Sequence, residues 1–471
     1  MLMEMNVFQA LGDVLGLYSN IAIAWMMAVV ADLVINKPLG LSPRGIEFKW
    51  AHLYDINPVG VGAMVLASAL GISAHLGLFD PLAQAFSALI APGETLFIDA
   101  GSTNLAVARA LPRDRKVGVF TNAPAVALAL ADHPLCATVL LGGVSAERDV
   151  SLSSGLRIAV GLRERGHTVI CLDPADGVLS RDTEARLLAS GVGSAPPSLE
   201  ALAGLAARSL SPTLATLPEI TGADCVFIAL HGGQGEDGTV QALLDMAGVR
   251  YTGSGHLASA LAMDKHLTKV LLRAAGVATA NWIMAPAPGT GMVDPDEVGR
   301  HLDWPVVVKP SKQGSTVGLS IVREPAELQP AITEAFRYDD EVMIERFVPG
   351  QELTVGILGD QVLPTIEIKP VKELYDYECK YTPGMAEEFV AELSPEIQSK
   401  LADQASRAFA ALKLRGYARI DFRLDPHGQP WCLEANTLPG MTPTSLIPQA
   451  AAAAGVLFPD LCERIVQLAI R

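Results

Sequence analysis

The chain has 471 residues, half of them hydrophobic, which leaves room for about two to four domains. Its net charge of −16, with no Lys/Arg cluster, excludes nucleic acid as a partner, because that needs a basic face. A mean hydropathy of +0.32 is high for a soluble enzyme and points to an unusually apolar part. Cysteines 136, 171, 225, 379, 432 and 462 show no CxxC spacing and read as reduced packing residues of a cytoplasmic protein, not as disulfides.

Residues 1–93 carry the apolar excess. One apolar run extends from Val14 to Ile35 and a second from Val59 to Phe79. Each approaches the ~20 residues that cross a bilayer, although Asn20, Asp32 and His75 interrupt them. The spacing predicts two candidate transmembrane helices, and membrane contact is expected through this segment alone. All of its Lys/Arg residues, Lys37, Arg44 and Lys49, lie between the runs, which would put that loop on the cytoplasmic side. There is no basic start and no clear small-residue cleavage site, so a secretory signal is not expected. The text from Leu11 to Ala91, with YSNIAIAW and ADLVINKPLGLSPRGIEFKWAHLYDINPVGVGAM, resembles the C-terminal part of a purine–cytosine permease-type transporter. Two spans imply a fragment, and no transport is inferred.

Residues 94–137 change character. Leu96-Phe-Ile-Asp99 reads as a strand that enters Ala-Gly101-Ser102-Thr103-Asn104 and an Ala-rich helix, a partial βαβ unit. Backbone N–H groups at such a helix start can hold a phosphate, and an unused turn has the same pattern. Continuing through Val117 to Gly143, the segment is similar to part of the effector-binding domain of DeoR-type repressors. The DNA-binding helix-turn-helix of those repressors is not present. Its Leu140-Leu-Gly-Gly143 also opens the next region, so the junction falls on a shared motif, as recombination, a gene-assembly error or a designed chimera would leave it.

From Thr138 to about 253 strands and helices alternate: strand Val139–Leu141, a turn through Ser145-Ala-Glu147-Arg148, helix Ser151–Arg165, strand Thr168–Leu172. This is βαβ and predicts a parallel sheet. Val226–Leu230 is a buried strand ending in His231-Gly-Gly-Gln-Gly-Glu236-Asp237-Gly238, and ligands bind beyond such strand ends.

Met263-Asp-Lys265 reads as a helix start, and Val306-Val-Val-Lys309 as a strand ending in a lysine. Two lysines can neutralise phosphate charge, although each alone also reads as a surface residue. The Gly/Ser/Thr-rich loop that follows, with Gly314, Ser315, Thr316 and Gly318, offers backbone donors to phosphates and the flexibility of a lid.

Near the C-terminus, Arg419-Ile-Asp421-Phe-Arg423 alternates charged and apolar residues, and Trp431-Cys-Leu433 starts a return strand after a turn at His427-Gly428. Such a hairpin would bring Asp421, Glu434 and Asn436 side by side. Three oxygen ligands suit Mg²⁺, while a solvated acidic hairpin has the same alternation.

Together with Leu433-Glu-Ala-Asn-Thr-Leu-Pro-Gly440-Met, these motifs resemble the ATP-grasp superfamily and, in detail, D-alanine–D-alanine ligases, over about 138–471. The resemblance implies an α/β N-terminal domain at 138–253 and two α+β subdomains holding ATP, at 254–345 and 346–471. It implies ATP-dependent joining of two D-alanines for peptidoglycan precursors, with two Mg²⁺ ions for which Mn²⁺ can substitute, in a cytoplasmic homodimer. Asp421, Glu434 and Asn436 are then the metal ligands. Lys265, Lys309, Gly314 and Ser315 face the phosphates. Glu345, Phe347 and the Val348 backbone receive adenine, and Glu352 the ribose. Glu147, His231, Ser315, Tyr381, Arg419, Gly440, Ser445 and Leu446 form the amino-acid site, with Glu147 on the first ammonium group. Tyr381 closes the site with Ser315 and Glu147. Arg419 and the Gly440 N–H meet the oxyanion, and the helix starting at Ser445-Leu446 takes the second carboxylate. A D-alanine–D-lactate ligase, or a membrane-anchored nucleotide sensor built on the same fold, are the competing readings.

Overall fold

A computed structural model describes residues 95–98, 102–111, 118–131, 135–193, 197–207, 209, 213–314, 316–371 and 384–470. Both candidate membrane spans, and the expected site residues Ser315 and Tyr381, lie outside these residues. Among the described residues no helix is long and apolar enough to cross a membrane. The chain divides into two compact units, Met1–Pro134 and Leu135–Arg471.

In the first unit β1 (Thr95–Phe97) pairs in parallel with β2 (Gly118–Phe120), and the helix Ser102–Ala110 links them. A second helix, Pro124–Ala131, follows. Ile98, Ala108, Leu111, Ala123 and Val126 form its small core, as the βαβ pattern predicts. Phe97 and Phe120 remain exposed and stack with ring centroids 5.3 Å apart.

The second unit contains three sheets. β3 (Cys136–Leu140), β4 (Thr168–Asp173), β5 (Gly177–Val178) and β6 (Cys225–Ile228) form the first, in the order β5-β4-β3-β6. Its β3–β4 and β3–β6 pairs are parallel, and β5 returns antiparallel. β6, and β3 after Cys136, are buried without alternation because both faces of the sheet are covered; Thr138 is held by donating to the Glu219 carbonyl. The crossover helix Arg148–Glu164 starts three residues before its expected start, so Glu147 occupies the cap position. The glutamate makes no side-chain cap there.

The second sheet contains β7 (Trp282–Met284), β8 (Val306–Pro310), β9 (Ser320–Val322) and β10 (Val342–Arg346), in the order β7-β10-β8-β9 and antiparallel throughout. Val298 and Leu302 from one helix, with Leu328 and Ile332 from another, close its inner face. The third sheet is built from β11 (Gln351–Leu358), β12 (Gln361–Val362), β13 (Ile366–Pro370), β14 (Ala386–Val390), β15 (Tyr417–Leu424) and β16 (Pro430–Asn436). Its order is β14-β13-β11-β15-β16, with β12 paired to β11.

Two features position the site. Gly350 turns β10 into β11 at φ 123°, where a Cβ would lie 1.9 Å from the Leu424 carbonyl oxygen, so no larger residue fits this bend. The helices His256–Met263 and Lys265–Ala274 share a core with the third sheet, through Ala258, Ala262 and Leu272 packed with Leu353, Val355 and Ile420. Asp264 separates the two helices by capping the second, its Oδ1 accepting from Leu267 N at 2.9 Å.

Candidate active site

Period-two alternation buries Ile420 and Phe422 completely and turns Arg419, Asp421 and Arg423 toward a cleft between the second and third sheets. In the hairpin Arg419 lies opposite Asn436 and Asp421 opposite Glu434, as the spacing predicts. The register then shifts between Asp421 and Phe422, a bulge the sequence did not announce, and Leu433 also reaches the cleft. Asp421 accepts four hydrogen bonds here. Its Oδ1 accepts from Arg419 Nε at 2.9 Å and Thr354 Oγ1 at 2.6 Å; its Oδ2 accepts from Arg419 Nη2 and Asn436 Nδ2, both at 2.9 Å.

Lysines face this hairpin from across the cleft. Lys265 Nζ lies 3.3 Å from Glu434 Oε2 and donates to the Gln313 carbonyl at 2.7 Å, which ties the helix to the Gly314 loop. Lys309, at the end of β8, has its Nζ 2.5 Å from Glu345 Oε2. The other oxygen of Glu345 is taken by Lys269, one turn beyond Lys265 on the same helix face. Burial opposes ionisation of Glu345, yet the two ammonium groups outweigh it and hold its carboxyl below the ordinary range. Burial likewise works against the Lys309 charge, and Glu345 reverses that and raises its pKa. For Lys269 burial prevails and lowers it.

Phe347 and Val348 line the cleft where β10 leaves the second sheet. Arg423 closes this end: its Nε donates to the Val348 carbonyl, and its Nη1 to Glu352 Oε2, each at 3.1 Å. Arg346 is largely exposed and lies over the Trp431 ring at 5.9 Å.

The loops after β3 and β6 adjoin the cleft. Glu147 Oε2 points at the backbone of two loops: it is 3.1 Å from where a Cβ on Gly232 would stand and 3.7 Å from one on Gly314. His231, 5% exposed, contacts Ser154 Oγ through Nε2 at 3.2 Å and Glu236 through Nδ1 at 3.5 Å. Burial pushes the Glu236 carboxyl up, and the charge of Glu147 adds to that against the opposing pull of His231. Ser154 Oγ also accepts from Met441 N at 3.0 Å, and Arg157 donates to the Met441 carbonyl at 2.8 Å. Thus the His231 loop and the Gly440 turn are pinned to one helix. Gly440 has no room for a side chain, because a Cβ would lie 2.7 Å from Ser445 Oγ. Ser445 stands at the cap of the helix Leu446–Ala453, but its Oγ accepts from Thr442 N at 2.9 Å and does not cap the helix; Leu446 is buried.

Of the expected residues, Lys265, Lys309, Gly314, Glu345, Phe347, Val348, Glu352, Arg419, Asp421 and Glu434 line one cleft. Asn436 bonds to it through Asp421, and Glu147 borders it at Gly314. Sequence reasoning missed Lys269, Arg423, Thr354, Ser154 and Arg157. The i, i+4 spacing of Lys265 and Lys269, and the i, i+2 spacing of Asp421 and Arg423, were the available signals.

Comparison with known proteins agrees with this geometry. The family described as D-ala D-ala ligase N-terminus matches residues 137–254, and the D-ala D-ala ligase C-terminus matches 271–467. The DeoR C terminal sensor domain matches 80–160 and so overlaps the ligase match over 137–160. The D-alanine–D-alanine ligase of Syntrophotalea carbinolica is 43% identical over 331 residues, 70% of this chain and 94% of the relative. That of Geobacter sulfurreducens is 42% identical over 330 residues, covering 70% and 92%. The crystal structure of the Bacillus anthracis D-alanine–D-alanine ligase complexed with ATP aligns with a TM-score of 0.58 at 30% identity, covering 72% of this chain and 98% of that one. With both ligase halves matched and relatives covered nearly end to end, this chain belongs to the D-alanine–D-alanine ligase family and joins two D-alanines.

Proposed function

We propose that the chain makes D-alanyl-D-alanine in the cytoplasm by way of a D-alanyl phosphate, with the roles set out below. The observation that carries this is the hairpin: Arg419, Asp421 and Glu434 face the same cleft as Lys265 and Lys309. The carboxylate of the first D-alanine attacks the γ-phosphorus of ATP, giving the acyl phosphate and ADP. The amine of the second D-alanine then attacks that carbonyl, loses a proton, and phosphate leaves. Lys265 and Lys309 neutralise phosphate charge. Arg419 and the Gly440 N–H take the oxyanion of the tetrahedral intermediate. The Leu446 helix start receives the second carboxylate, and Glu147 the first ammonium group. His231 orients the Glu147 side of the pocket. Tyr381, with Ser315 and Glu147, closes it.

Asp421, Glu434 and Asn436 form a hard, all-oxygen donor set that fits Mg²⁺ or Mn²⁺. The Asn436 amide nitrogen is taken by Asp421, which leaves its oxygen as the ligand atom. A divalent cation held there would supply positive charge against the phosphates. Glu345, Phe347 and Val348 hold the adenine end and Glu352 the ribose, with the ligase subdomains divided at about 345. A homodimer through the ligase part, and a mosaic origin for the region before 138, complete the proposal.

Phosphate release from ATP with and without D-alanine tests the reading. Release should depend on D-alanine and Mg²⁺ and yield the dipeptide. Release independent of D-alanine, or none, would overturn it. Product analysis with D-lactate in competition separates the D-alanine–D-lactate alternative.

A further inference from the structure

We propose that Lys269 is a positioning residue for nucleotide binding: it balances Glu345 so that the Lys309 ammonium group stays available to the phosphates. The proposal rests on the ATP site described above. The Lys269 side chain is fully buried and lines no part of the cleft, so it cannot touch a ligand there. Its Nζ contacts one oxygen of Glu345 and lies 2.5 Å from Thr279 Oγ1, which in turn donates to the Cys432 carbonyl at 2.8 Å. The lysine is thereby fixed between the second sheet and β16. Glu345, 3% exposed, gives its other oxygen to Lys309 at 2.5 Å. Lys309 lines the cleft.

Charge counting supplies the function. Lys269 and Lys309 contribute two positive charges and Glu345 one negative, so the cluster carries +1 where phosphates are expected. Without Lys269, Glu345 and Lys309 would form a neutral buried pair. The contribution of this cluster to phosphate attraction would then vanish, although every cleft-lining residue, Lys265 included, remains. An ammonium group held fully out of water is costly unless paired, and its pairing with a carboxylate already bound to Lys309 fits this role better than simple filling of space.

The test uses the full chain in magnesium buffer, with ATP and adenosine as probes. Lys269→Met should weaken ATP binding by about tenfold or more and adenosine binding by clearly less, since the lost charge acts on the phosphates while Glu345, Phe347 and Val348 remain for adenine. KM for ATP should rise, and KM for D-alanine should stay constant. The double variant Lys269→Met/Glu345→Gln restores a net +1 through Lys309 alone. Its ratio of ATP to adenosine affinity should therefore return toward the parental ratio. It also keeps the test open if the single variant fails to fold, because the neutral amide needs no second ammonium partner. Equal losses for ATP and adenosine, unchanged ATP binding in Lys269→Met, or a double variant with a collapsed ratio would each overturn the proposal. If the parental chain itself does not bind ATP, the ATP reading fails first and this proposal with it.

Discussion

Asp421 and Glu345 show two ways in which a carboxylate of this cleft is partnered. Asp421 accepts two hydrogen bonds from Arg419 and one each from Thr354 and Asn436, so its proposed role as a metal ligand requires that one of these donors turn away when a cation binds. Glu345 is flanked by two ammonium groups. Glu434 differs from both: it is partly exposed, with Lys265 3.3 Å away. Glu434→Gln keeps the shape and removes one charge. Turnover should fall about a hundredfold or more, and Mn²⁺ binding, read by electron paramagnetic resonance, should weaken in parallel. Normal turnover with unchanged Mn²⁺ affinity would remove Glu434 from the metal set. The Asp421–Glu434 pair was legible in the sequence because a half-buried strand writes its faces in a period of two. Lys269 was not, since a lysine one turn along an amphipathic helix looks solvated until another sheet covers it.

At the scale of elements, the parallel sheet and both strands of the hairpin were legible from apolar runs and alternation. Helix starts were less so. The crossover helix begins at Arg148, before its expected start at Ser151, because the turn before it is fixed from outside: Arg148 binds Asp173, and Ser145 Oγ donates to the His231 carbonyl. The C-terminal helix Phe458–Ile470 is held to the first sheet of its unit in a comparable way. Leu135 N donates to His167 Nδ1 at 3.0 Å, which places the ring proton on Nε2, against Glu463. Burial opposes the Glu463 charge, but His167 and Gln467 prevail and hold its carboxyl below the ordinary range. A group whose pKa is lower folded than unfolded stabilises fully above the unfolded value, about 4.3, and loses that contribution as pH falls through the folded value. Glu463→Gln should therefore lose less stability than the parent between about pH 5 and pH 3. Parallel denaturant midpoints for the two proteins across that window would assign the acid sensitivity elsewhere.

For the whole molecule, the chain divides after Pro134 into two compact units, and the DeoR C terminal sensor match at 80–160 runs across that division. The ligase relatives are covered by 94% and 92% of their length within 70% of this chain, so the ligase fold needs little before β3. The motif Leu140-Leu-Gly-Gly143 falls where the two family matches overlap, so its sequence fits both and packing is what assigns it. In the structure β3 lies between β4 and β6, squarely in the ligase unit. Two backbone bonds fix where that unit can be cut. Leu135 N is bound to His167, and Cys136 N donates to Asp224 Oδ2 at 2.9 Å. A protein starting at Pro134 keeps both and should retain kcat and KM within about twofold of the full chain. Starting at Ala137 removes both donors and the Cys136–Thr168 pairing, and should cost about 1–3 kcal/mol of stability at the buried His167, whose Nδ1 loses its donor, with activity at low temperature largely kept. Steady-state kinetics and denaturant melts of the two truncations beside the full chain decide the point. A Pro134 protein that folds with the parental melt but is inactive until residues 1–133 are restored would show that the first unit takes part in the ligase chemistry.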